Sequence, residues 1–450
     1  MGSCSAISAL ALAVVVVSVA GGCSGNTSVV VPTSATAARA ALLPQRTLNA
    51  AGQETVLYAF TGGSDGAGPQ YGVIADSTGA LLGTTAFGGG PQGFGTVFEL
   101  TPNDSGYRES VLHRFSGGLD GRAPMGLASG PSGARYGFTL VGGYNDCQYG
   151  FGCGTVFELT PNGSNYKETV VYRFAGGTDP DQPLGTPVVD KSGNIYGVAA
   201  YGGASNEGVV FKLTPSGSGY SETLLYSLPG GAGGETPQAG LTVDSHGALY
   251  GTTYNGGDSA CDGGCGVVFK LTPPAYTAQT VHTFKGGPDD GAFPYAALTV
   301  DDRTGAIYGT TQYGGAHNLY GVVFKLARTG SAYAESILHS FDGSSDGYNP
   351  ESPVLLAADG SLYGTTTNGQ DGKCACGLIF KLTPSRTGYS FSRVYGFSDP
   401  ATGADPQSTT LIPGANGALY GTTKLGGLTT SPNCDFGGPD GCGVVFRLAP

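Results

Sequence analysis

Seven times between Glu54 and Pro450 the chain repeats one pattern: a segment like ETVLYSF, a loop ending in proline, then LYGTT, then GVVFKLTP. The last segment reads GTVFELTP at 95–102 and 154–161, GVVFKLTP at 208–215 and 266–273, and GVVFRLAP at 443–450. GVVFKLAR (321–328) and GLIFKLTP (377–384) complete the set. The third segment is centred on Leu82, Tyr136, Tyr196, Tyr250, Tyr308, Tyr363 and Tyr420, spaced 54 to 60 residues apart. A period of that length marks an array of supersecondary units that bury their apolar faces only against their neighbours.

Each unit carries four extended segments. In the fourth they are 222–228, 238–244, 248–253 and 266–273, all β-branched or aromatic and bounded by Gly, Pro, Asp or Ser. Segments such as GVVFKL are apolar on both faces, as strands packed between two neighbouring sheets require. Four-stranded units repeated radially give an all-β, seven-bladed β-propeller; a solenoid would need atypical capping repeats at its ends. The proline-led strand is expected innermost, followed outward by LYGTT, GVVFKLTP and ETVLYSF. On that phase the chain opens with a lone outermost strand at 54–60 and ends one strand short. The two ends therefore complete a single blade, and no sheet edge is left open there. The expected blades are about 61–115, 116–174, 175–228, 229–284, 285–341, 342–397 and 398–450 plus 54–60.

Only 12% of residues are charged, yet 81 are glycine, which here punctuates turns. The net charge of −12 argues against nucleic acid as a partner. Residues 6–20 form an apolar run of the length of a signal-peptide core, too short for a confident membrane span. The stretch AGGCSGN resembles a bacterial lipoprotein cleavage box, which implies lipidation of Cys23, although MGSCS lacks the usual positive charge. The expected layout is a signal peptide at 1–23, a flexible tether at 24–53 and the propeller at 54–450. The expectation is an exported monomer, surface-anchored as a lipoprotein or otherwise secreted, touching membrane only through its N-terminal lipid.

The pairing of LYGTT with G-x-VFKLTP over residues 54–450 resembles the Gloeo/Verruco (GloVer) tandem repeat. That resemblance implies exported, anchored propellers and carries over no catalytic residue.

Setting aside Cys4 in the signal and Cys23, eight cysteines fall into four local pairs: Cys147/Cys153, Cys261/Cys265, Cys374/Cys376 and Cys434/Cys442. Each lies between LYGTT and GVVFKL. An even count in an exported chain reads as disulfides, and no histidine accompanies them at zinc-ligand spacing. Cys374/Cys376 is the least favourable pair, since one intervening residue strains the bridge.

What every blade shares is scaffold; a ligand site should break the symmetry. Proline opens the inner strand at Pro69, Pro124, Pro183, Pro237, Pro294, Pro350 and Pro406, where no ladder donor is needed. Five blades place Asp four residues earlier: Asp65, Asp120, Asp179, Asp290 and Asp346. A carboxylate ring could take Ca²⁺, but one carboxylate per repeat falls far short of calcium's six to eight oxygens, and local turn hydrogen bonding is the simpler reading. His113, His282 and His339 stand where sister blades have Tyr and read as packing substitutes.

The varied positions are the ligand candidates. One set follows the second strand: Phe87, Val141, Tyr201, Asn255, Tyr313, Asn368 and Leu425. The other follows the proline: Gln70, Met125, Leu184, Gln238, Tyr295, Glu351 and Gln407. Both are expected on one face near the central opening with the cysteine loops, where aromatics and amides suit a glycan. The leading expectation is a non-catalytic scaffold binding a glycan or protein there, without a cofactor. The alternatives are a polysaccharide-acting enzyme using Asp65, Asp290, Asp346 or Glu351 at the central opening, and a structural spacer without ligand.

Overall fold

The computed structural model describes residues 53–449, except 145–146, 148–149, 164, 218, 370–374, 429–433 and 435–440. The expected signal, Cys23 and the tether up to residue 52 lie outside the described residues, and so does Cys374. Seven four-stranded antiparallel sheets surround one axis as a seven-bladed β-propeller. Blade 1 runs outward through Val73–Ala75, Leu81–Thr85, Thr96–Asn103 and Gly106–Arg114. Blades 2 to 6 repeat that order, and blade 5 adds a short pair, Gly291–Ala292 with Tyr313–Gly314. Among the described residues no helix is long and apolar enough to cross a membrane.

The ring closes as the repeat phase requires. Blade 7 comprises Ile412–Pro413, Leu419–Thr423, Val444–Leu448 and, outermost, Glu54–Ala59 from the other end of the chain. Glu54 lies opposite Leu448 and Ala59 opposite Val444. Phe60 then packs edge-on against Phe98 of blade 1, with ring centroids 5.0 Å apart.

The repeated letters are the parts of one seam, built seven times. The glycine of LYGTT lies across from the phenylalanine of GVVFKL, as Gly83 does from Phe98. A Cβ on Gly83 would sit 2.6 Å from that ring, so only glycine admits it. The same ring receives the phenylalanine ending the previous blade's outer strand: Phe115 on Phe157, Phe174 on Phe211, Phe284 on Phe324, Phe341 on Phe380 and Phe397 on Phe446. All of these rings are buried. The first threonine of LYGTT ties its blade to the next inner strand: Thr84 donates to Met125 O (2.7 Å), Thr310 to Ser352 O (3.1 Å) and Thr365 to Pro406 O (3.0 Å). Across the closure Thr422 accepts from Gly72 N at 3.2 Å. The second threonine points the other way, as strand alternation demands, and closes its own exit turn, as Thr85 does onto Phe87 O.

Three bridges lie within the described residues: Cys147–Cys153, Cys261–Cys265 and Cys434–Cys442. Cys376 is also disulfide-bonded, and its expected partner Cys374 lies outside the described residues. The bridges run over the seams as well as closing loops. A Cβ on Gly176 or Gly286, in the turn opening the next blade, would meet Cys153 or Cys261 sulfur. Where blades 1 and 5 have no cysteines, the rings of Phe94 and Tyr320 cover the corresponding Gly117 and Gly343.

Candidate functional site

The residues after the seven prolines form a belt around the axis. Gln70, Met125, Leu184, Gln238, Tyr295 and Glu351 are buried, and Gln407 is half-buried. A second row comes from the residue directly after LYGTT: Ala86, Leu140, Ala200, Tyr254, Gln312, Thr367 and Lys424. It lies two positions past the first threonine, so alternation turns it to the same side, toward the neighbouring inner strand.

Blades 4 to 7 join these rows by hydrogen bonds. Tyr254 OH donates to Gln312 Oε1 at 2.8 Å, and Gln312 Nε2 donates to Glu351 Oε1 at 2.5 Å. Glu351 Oε2 accepts from Gln407 Nε2 at 2.5 Å and from Thr367 Oγ1 at 3.1 Å, while Lys424 Nζ donates to Gln407 Oε1 at 3.1 Å. Tyr254 also packs on Tyr295, centroids 5.7 Å apart. Burial pushes the Glu351 carboxyl up to about 7, although three donors hold its charged form. Burial likewise raises Asp405, which stands just before Pro406 at φ 56° and is partly offset by the Lys424 charge.

On blades 2 and 3 the two rows are apolar, and unpaired polar atoms occur on blades 1, 3, 4 and 7. Met125, Leu184, Leu140 and Ala200 belong to one apolar cluster with Tyr71. Gln70 is 1% exposed, and neither its Oε1 nor its Nε2 has a hydrogen-bond partner. Gln238 Oε1, Asp181 Oδ1, Asp405 Oδ1 and Ser408 Oγ are likewise shielded and unpaired. Buried polar groups normally find partners, because leaving one unmet costs about 1–3 kcal/mol. At the far end of the axis, a cavity of about 710 Å³ lies between the inner strands of blades 4 to 7. Its walls are mainly aliphatic (Val243, Val300, Leu355, Leu411 and Ile412), and its Arg303 pairs with Asp301 at 3.1 Å. Shielded, unpaired polar atoms therefore occur at the belt as well as in the seams, where Glu54, Glu109, Glu168, Glu222 and Glu335 each carry one.

The other candidates fall elsewhere. Phe87, Tyr201, Asn255, Tyr313, Asn368 and Leu425 are half-buried at the strand exits, and Val141 is buried. They pair with the segment before each proline, for example Phe87 with Ala67 and Asn255 with Glu235. Asn255 Nδ2 is spent on Thr236 Oγ1 at 2.9 Å. The belt's second row lies one residue earlier, and its face could have been read from alternation.

Asp65, Asp290 and Asp346 are not at the central opening; they sit in the seams beside the outer strands. Asp65 accepts from Thr61 N (2.8 Å) and Tyr58 OH (3.0 Å). Asp120 accepts from Ser116 N, Asp179 from Ala175 N, Asp290 from Lys285 N and Asp346 from Asp342 N. Of the acids considered for catalysis, only Glu351 lines the axis. His113, His282 and His339 do more than fill space, lying 3.6, 3.4 and 2.9 Å from Asp120, Asp290 and Asp346. A third seam residue escaped the sequence reading: the glutamate opposite the leucine of VFKL, namely Glu54, Glu109, Glu168, Glu222 and Glu335. Burial first, then for Glu109 and Glu168 a facing aspartate, pushes these two up to about 7. Burial pushes Glu54 up to about 7 against the lowering effect of a hydrogen bond from Tyr395.

A model of the Gloeobacter/Verrucomicrobia repeat matches residues 45–263 and 259–450. The chain belongs to this repeat family. No curated protein matches it in sequence. Solved structures of similar fold include a luciferin-regenerating enzyme (13% identity, TM-score 0.41, 73% of this chain and 91% of that one). A GH74 enzyme of Niastella koreensis is 16% identical, with TM-score 0.46, covering 78% of this chain and 50% of that one. A gluconolactonase of Xanthomonas campestris is 12% identical, with TM-score 0.38, covering 88% and 89%. At these identities and scores the likeness carries no argument about ligand or reaction.

Proposed function

We propose that the propeller binds a saccharide at the axial belt, as an exported protein tethered through Cys23. The observation that carries this reading is Gln70, buried with both amide atoms unpaired, facing the same axis as the hydrogen-bonded Tyr254–Gln312–Glu351–Gln407 chain. A saccharide supplies hydroxyls that both donate and accept, and apolar ring faces that suit Met125, Leu184, Tyr254 and Tyr295. Titration calorimetry against a panel of neutral and acidic oligosaccharides tests it: saturable binding is expected, weakened about tenfold or more by Gln407→Ala. Tethering at Cys23 is tested by intact-mass analysis of protein from a bacterial host, with a diacylglyceryl mass shift lost in Cys23→Ala.

One observation favours a second reading, an acid–base enzyme acting on polysaccharide. Glu351 titrates near neutrality on the axis, where a general acid or base is most effective. Turnover of any panel member that disappears in Glu351→Gln would favour it; binding without turnover favours the scaffold.

A further inference from the structure

The seam between blades 4 and 5 brings together His282, Asp290 and Glu335. Nε2 of His282 lies 3.4 Å from Asp290 Oδ1 and 4.0 Å from Glu335 Oε2, and one ligand atom from each residue falls within 4.8 Å of the others. We propose that this seam binds a divalent transition-metal ion of the zinc or cobalt type, with His282, Asp290 and Glu335 as its protein ligands.

Distance is the first argument. Bonds of about 2.0–2.1 Å to nitrogen and oxygen in tetrahedral geometry set ligand atoms roughly 3.3–3.4 Å apart. The His282–Asp290 separation already has that value, and the His282–Glu335 separation closes with a shift of a few tenths of an ångström. Donor chemistry is the second. One imidazole with two carboxylates suits zinc-like ions, whereas calcium wants more oxygens than the seam offers. Charge is the third: two carboxylates face each other in a partly dry gap, where a cation relieves their repulsion. Glu335 Oε1 is shielded and unpaired, while Asp290 is oriented by Lys285 N and Gly291 N. The three side chains are 18%, 11% and 14% exposed, enough for an ion and a solvent ligand to reach them.

Sister seams supply the controls. Blades 7 and 2 put Tyr58 and Tyr172 where His282 stands, and Tyr58 hydrogen-bonds Asp65. Between blades 5 and 6 the glutamate is replaced by Phe391, which stacks on His339 at 4.4 Å. His113, Asp120 and Glu168 repeat the full set of residue types, with His113 and Asp120 3.6 Å apart.

The test is equilibrium dialysis and visible absorption of folded, disulfide-intact protein with Co²⁺, then displacement by Zn²⁺. His282→Tyr is the key variant, because sister seams already fold with tyrosine there. Wild type should take up one more equivalent of Co²⁺ than His282→Tyr, and Glu335→Gln should bind more weakly by at least the roughly tenfold that losing even an outer-shell partner costs. His339→Tyr should leave uptake unchanged. Equal uptake by wild type, His282→Tyr and Asp290→Asn would overturn the proposal and leave the seam as a carboxyl pair sharing a proton.

Discussion

The two walls of the axial belt occupy equivalent places in the repeat and differ in chemistry. On blades 4 to 7 the two rows read Gln238/Tyr254, Tyr295/Gln312, Glu351/Thr367 and Gln407/Lys424, and most of these side chains are joined by hydrogen bonds. On blades 1 to 3 they read Gln70/Ala86, Met125/Leu140 and Leu184/Ala200, with the Gln70 amide unpaired and the blade 2 and 3 residues in one apolar cluster. The glycine–phenylalanine pairing in the seams around them is the same, from Gly83–Phe98 through Gly421–Phe446. Symmetric seams hold an asymmetric axis, and the asymmetry is where a ligand would read the ring.

Both walls depend on closure, so the largest effect should come from removing it. Deleting residues 54–60 takes away the outer strand of blade 7 and the buried Phe60; loss of the cooperative thermal transition is expected. Phe60→Ala alone should cost about 3–5 kcal/mol by denaturant titration. An unchanged transition in the deletion would break the latch.

Within the closed ring the walls should respond differently to truncation. Leu184→Ala empties a packed site and should cost about 2–5 kcal/mol with no change in pH dependence. Glu351→Ala strands the amides of Gln312 and Gln407 and should cost about 1–3 kcal/mol. Similar costs with similar pH profiles would erase the distinction between the walls.

Acidity sharpens the contrast between belt and seams. Folded carboxyls raised to about 7 at Glu351, Glu54, Glu109 and Glu168 favour the protonated form in the native state. Their contribution is full below the unfolded value near 4.5 and is lost as pH rises through about 7. The melting temperature should therefore fall between roughly pH 5 and pH 8. The combined Glu54→Gln, Glu109→Gln and Glu168→Gln variant should flatten that fall more than Glu351→Gln, because the seams hold more of these acids than the axis.

Much of the scaffold was legible because repetition averages out local ambiguity. Seven copies of LYGTT and GVVFKLTP pinned strand order, and the unpaired 54–60 segment exposed the closure. The make-up of the belt was legible only in part. Gln70, Glu351 and Gln407 were found because they follow an invariant proline and vary. Tyr254, Gln312, Thr367 and Lys424 were missed by one residue, since the strand-exit position was chosen for its variety without asking which face alternation gave it. The seam glutamates were hidden by their regularity: the E of ETVLYSF reads as a solvated charge until the facing aspartate of the neighbouring turn is in view. Asp65, Asp290 and Asp346 misled for the same reason, because a repeat shows which blade a residue belongs to more readily than its distance from the axis.

Gln70 gives the most direct test of the central claim, since its amide supports nothing in the unliganded fold. Titration calorimetry of wild type and Gln70→Ala with an oligosaccharide panel, alongside their melting temperatures, should show saturable binding that weakens about tenfold or more, without the loss of about 1–3 kcal/mol that stranding a buried hydrogen-bond partner brings. No saturable binding by wild type, or equal affinity in both proteins, would contradict a saccharide site at the belt.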